Sequence, residues 1–144
     1  VRPKLSRKEQ YSLIEQAERL VKQYGDGVTV FRPMVIGNKR ASYHIFHKDE
    51  DNGHTATILW IVTDGLDTLM HELGHHVLRH GKSDRKFSFR ERIMWEVDAW
   101  LWAEKKCRAH SIPFDYKSCT AQFESYFTNN YQYQWVKINW RYEK

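Results

Sequence analysis

The run Thr68-Leu-Met-His-Glu-Leu-Gly-His-His76 constrains this chain most, because it sets titratable residues inside an apolar helical pattern. Leu66, Leu69, Met70, Leu73 and Val77 recur at helical spacing and predict a core-facing helix, opening at Asp64-Gly-Leu-Asp67 with Gly81 as its stop. His71 and His75 are four residues apart, so their imidazoles stand one turn above each other on the same side. A single metal ion can bridge two side chains so placed. In such an H-E-x-x-H arrangement two neutral imidazoles bind Zn2+, and Glu72, angled off their face, takes a proton from the water the metal activates. The metal brings the pKa of that water toward roughly 7. The competing reading is coincidence: with 8 histidines in the chain the pattern can arise without chemistry, so context has to decide.

Context means a third ligand, since a catalytic zinc site takes three protein ligands and leaves one position open. The sequence predicts a further helix from about 88 or 90 to 109, which offers Glu91, Glu96, Asp98 and Glu104. Glu96 is best placed, because Ala99 and Ala103 share its face and let this helix approach the motif helix closely at Gly74. A carboxylate facing another helix needs a partner, which the metal supplies; otherwise Glu96 is a solvated charge. Asp98 lies about 200° round the helix and suits the free ring N–H of a ligand. Two histidines compete for the third position. His76 projects roughly 100° away from His75, which fits a surface or supporting residue. His80 follows His71 by nine residues, without the glycine break and spacing of a metzincin, and can instead cap the helix end as a cation.

Elsewhere, Ser6 and Glu9 have the spacing of a capping box that starts a helix over 7–24. Strand-like segments at 27–36, 41–47 and 55–63 predict a small antiparallel sheet, and a last helix is predicted over 117–127. The tail alternates aromatic and polar residues, as a strand does. These elements predict an α+β chain, and 144 residues at 41% hydrophobic suit a single domain over 1–144. Two cysteines, Cys107 and Cys119, form no framework and favour a reducing, intracellular setting. The longest apolar run, residues 58–62, is far short of a membrane span, so the chain reads as soluble. A net charge of +5 is weak support for nucleic-acid binding.

The run "TLMHELGHH", followed by "EVDAWLWA" at 96–103, resembles the ImmA/IrrE-like zinc metallopeptidases of phages, mobile elements and bacteria. That family pairs a T-L-x-H-E-L-G-H helix with a later E-x-x-A-x-x-F-A helix whose glutamate is the third zinc ligand. The resemblance covers about residues 6–109. It implies a zincin-like fold, zinc on His71, His75 and Glu96, and Glu72 as general base. Trp100 stands where the family usually has Asn, Trp102 where it has Phe, and the L-L-M-P run expected after Ala103 is replaced by Glu104-Lys-Lys-Cys-Arg-Ala-His110. Family members often cleave repressors or other DNA-binding regulators, so a protein or peptide substrate, such as a transcriptional repressor, is expected by analogy.

The expected chemistry is therefore hydrolysis of a peptide bond by a minimal zincin. Segment 55–63, directly before the motif helix, is the expected edge strand for an extended substrate. His76, His80, His110 and the C-terminal tyrosines are candidate oxyanion donors. The rival expectation is a metal-binding but inactive module for a regulator or nucleic acid. Tyr131, Tyr133, Trp135, Trp140 and Tyr142, with Lys137, Arg141 and Lys144, would supply its stacking and charge.

Overall fold

A computed structural model describes residues 5–26, 28–31, 42–47, 54–60, 62–78 and 88–129. Helix α1 spans Arg7–Tyr24 and begins with the expected capping box: the Ser6 hydroxyl accepts from the Glu9 backbone N–H, and the Glu9 carboxylate accepts from that of Ser6. Ala17 and Leu20 are its buried residues. Strands β1 (Val28–Phe31), β2 (Ser42–His47) and β3 (His54–Leu59) follow, then α2 (Leu66–Val77), α3 (Phe89–Ala109) and α4 (Tyr116–Asn129). Helix α3 has its own capping box, between Ser88 and Glu91.

The expected α+β architecture on a small antiparallel sheet is overturned. Four helices dominate the described residues, and most of the buried core belongs to them: Ala17 and Leu20 of α1, Leu66, Leu69, Met70 and Leu73 of α2, Ile93, Val97, Ala99, Ala103 and Cys107 of α3 and Cys119 of α4. The strand pairing is also not antiparallel throughout. The order is β1-β3-β2, with β2 antiparallel to β3 but β1 parallel to it, from Val28 opposite Ala56 to Phe31 opposite Leu59. β3 inserts between the two earlier strands instead of adding to the outer edge of β2. It is hydrogen-bonded on both sides, so residues 55–59 of the expected substrate-binding edge 55–63 are not an edge, because a central strand has no free ladder to offer.

The chain passes from β3 into α2 through a tight connection. Trp60 is fully buried, and its indole N–H donates to the Gly65 carbonyl at 2.9 Å. Gly65 stands at φ 86°, a region that costs a residue with a Cβ, and it caps α2 without any side-chain hydrogen bond. The Thr68 hydroxyl donates to the Asp64 carbonyl at 2.9 Å. Buried Asp67 accepts from the Thr68 N–H and, across the fold, from that of Asp115 just before α4, both at 3.0 Å. The first turn of α2 is thus fixed to what precedes it and to the start of α4. The helix ends at Val77, which is exposed with Leu78, so Val77 is not the core residue its spacing predicts.

Candidate metal centre

Helix α2 packs more extensively on α3 than any other pair of helices does, and one glycine sets how closely they approach. A Cβ at Gly74 would stand 2.9 Å from the Ala99 carbonyl oxygen, 3.3 Å from its Cα and 3.2 Å from the Trp102 ring. Two of those neighbours are backbone, which cannot swing aside. We predict that Gly74→Ala destabilises the protein by about 1–3 kcal/mol, the usual cost of forcing extra volume into a close-packed contact. Chemical denaturation of the purified variant checks this, and an unchanged midpoint would show that α3 yields there without cost.

At this contact three side chains converge. The Glu96 carboxylate lies 3.0 Å from His71 Nε2 through Oε2 and 3.1 Å from His75 Nε2 through Oε1, and the two Nε2 atoms are 3.2 Å apart. His71, His75 and Glu96 form a group that can hold a metal ion. Ligand atoms roughly 2.0–2.2 Å from zinc at tetrahedral corners stand about 3.3–3.6 Å apart, and each of the three contacts, two of which use different oxygens of Glu96, falls within a few tenths of an ångström of that. Two imidazoles and one carboxylate also make a donor set suited to first-row divalent ions. The residues present therefore fit the group.

Their electrostatics fit as well. Burial lowers the pKa of His71 to about 4, outweighing the Glu96 hydrogen bond that would raise it, and the charge of His75 lowers it further. Its ring is thus neutral at pH 7, the form that ligates a metal. Burial alone would raise the Glu96 carboxyl. Hydrogen bonds from both histidines, and their charge, hold it well below the usual carboxylate range instead. Glu72, one position after His71, is 7% exposed, and burial together with the nearby Glu96 charge pushes its pKa up to about 8. An acid–base group is thereby poised near neutral pH beside the ligand triangle.

The other expected site residues have other duties. Glu91 closes the α3 capping box. Glu104 is buried and accepts from the Tyr116 hydroxyl at 3.0 Å, with the Arg108 guanidinium also at 3.0 Å. His76 is buried on a different face of α2 from His71 and His75 and donates through Nε2 to the Asp26 carbonyl at 2.6 Å, fastening α2 to the end of α1. His110 Nε2 lies 2.6 Å from the Tyr24 hydroxyl. Asp98 is exposed and does not support the His71 ring, whose Nδ1 is buried with no hydrogen-bond partner among the described residues. His80 and the aromatic tail lie outside the described residues.

One neighbour of the centre goes unread in the sequence except as a departure from a motif. The Trp100 indole stacks on the His71 imidazole with centroids 3.9 Å apart and planes inclined by 21°. Its position one turn after Glu96 is the signal that places both on the same side of α3. No helix among the described residues is long and apolar enough to cross a membrane. No protein-family model, no curated protein and no solved structure matches the chain.

Proposed function

We propose that this chain is a zinc-dependent peptidase of the ImmA/IrrE-like kind, in which His71, His75 and Glu96 hold the ion and Glu72 moves the proton. The observation that carries the reading is the convergence of His71, His75 and Glu96, with the two Nε2 atoms 3.2 Å apart and each imidazole 3.0–3.1 Å from one oxygen of the Glu96 carboxylate, on a site flanked by a buried glutamate. The motif resemblance supports the same assignment. When bound, zinc supplies a Lewis acid that polarises a carbonyl and acidifies water.

The remaining work falls to the chain's own residues. The buried imidazole of His71 stays neutral and offers a nitrogen lone pair. Glu96 brings a negative charge that partly offsets the ion's. Glu72, desolvated and raised toward neutrality, accepts a proton from attacking water and returns it to the departing amine. Carboxylate basicity matched to the working pH suits both transfers. Hydrolysis adds water across the amide, so no other reactant is required.

Purified protein loaded with one equivalent of zinc should cleave an unfolded protein or a quenched fluorescent peptide. A chelator should stop cleavage, and added zinc should restore it. Cleavage indifferent to the chelator would refute the role of the ion, and failure to take up zinc on titration would refute the reading altogether.

A further inference from the structure

Metal-ligating histidines ordinarily donate their second ring N–H to a carboxylate, carbonyl or water, which fixes the ring's tautomer and direction. His71 departs from this. To ligate through Nε2, the nitrogen facing Glu96 and His75, it must carry its proton on Nδ1, and Nδ1 is buried with no hydrogen-bond partner among the described residues. Something else has to stop the ring from turning about its Cβ–Cγ bond.

The flat surface in contact with that ring is Trp100. Stacking at 3.9 Å and 21° opposes rotation of the imidazole, because any turn out of plane drives its edge into the indole face. The indole is itself held. Another neighbour, Phe114, meets it edge-on at 5.8 Å between centroids, and Phe114 packs on Tyr116 at 4.9 Å. Tyr116 in turn donates to buried Glu104, which Arg108 also engages. A continuous set of contacts therefore runs from the start of α4 to the ligand ring. The Trp100 Nε1–H is likewise buried without a partner among the described residues, so no hydrogen bond seen there explains the indole's position.

We propose that Trp100 is the positioning residue for His71, orienting the imidazole by aromatic stacking where a hydrogen-bond acceptor would ordinarily do so. The inference rests on the metal-binding reading above. It assigns the segment from Phe114 into α4 a part in building the centre, as the brace behind the indole.

Trp100→Phe keeps a flat aromatic face, and Trp100→Leu removes it while retaining apolar bulk. Zinc affinity is measured by chelator competition for both variants and the native chain. Cobalt absorption spectra of the same proteins report ligand geometry, and urea midpoints of the metal-free forms report folding. The expected result is an affinity about tenfold weaker in Trp100→Leu with an altered cobalt spectrum, and near-native values in Trp100→Phe; lost support around a ligand typically weakens metal binding 10–100-fold. A purely structural role would lower the urea midpoint and leave the spectrum alone. Equal affinity in Trp100→Leu and the native chain would overturn this inference alone, as would equal weakening in both variants. A native chain that binds neither zinc nor cobalt would overturn the metal reading, and this inference with it.

Discussion

Glu96→Ala is expected to weaken zinc binding by on the order of 100-fold or more, so that protein purified through gel filtration loses the ion that the native chain keeps. Losing a group that merely supports a ligand costs about 10–100-fold, and losing a ligand should cost at least as much. Glu96 contributes more than a donor atom: among His71, His75 and Glu96 it alone brings negative charge, and it touches both imidazoles. The two histidines left behind form a bidentate site of the kind many surfaces offer by chance. The same substitution has a thermal consequence. A ligand at 1,000 times its Kd stabilises the folded state by about 4 kcal/mol, so added zinc should raise the unfolding temperature of the native chain and leave Glu96→Ala almost unmoved. Elemental analysis and thermal melts with and without zinc measure both effects. Native affinity in Glu96→Ala would remove it from the ligand set and direct attention to His80.

How much of this centre could be read in advance follows from the range of the forces involved. His71, His75 and Glu72 were legible because a helix fixes their mutual geometry locally, whatever surrounds it. Glu96 was legible one step further, through Ala99 and Gly74, since small residues announce a close helix contact before any partner is known. The strand order was not. Each strand segment carries its own β pattern, but whether β3 lies outside β2 or between β1 and β2 depends on contacts distant in sequence. The expected substrate edge failed for that reason. Trp100 failed differently: its identity stood out, yet only the packing of α2 against α3 shows that its face meets His71. Asp98 illustrates the converse for His71, since helical angle offered it as an acceptor for a ligand's ring N–H, yet the His71 Nδ1 has no partner among the described residues.

Glu72→Gln should have two effects of opposite sign, and the pair separates a proton-transfer group from a structural one. Activity should fall about 10²–10⁴-fold, the usual contribution of a positioned acid–base group, while zinc content stays at the native level. The metal-free protein should become more stable. In the fold the Glu72 carboxyl titrates near 8, against an ordinary value of 4.5, because burial and the charge of Glu96 both disfavour its ionised form. Between pH 4.5 and about 8 the folded chain therefore holds a proton that the unfolded chain releases. Native stability falls as pH rises through that window and levels off above it. Glutamine does not titrate and escapes the penalty. The stability gap in favour of Glu72→Gln should consequently widen by about 2 kcal/mol between pH 6 and pH 8 in urea denaturation with chelator present. Zinc should close most of that gap, since a nearby dication favours the carboxylate over the acid. A gap independent of pH would mean that Glu72 is ionised in the fold at little cost, which would undo its assignment as a base tuned by burial. A variant both less active and less stable would place Glu72 in the scaffold. An inactive variant that is also more stable is the signature of a site holding a buried charge for the sake of its chemistry.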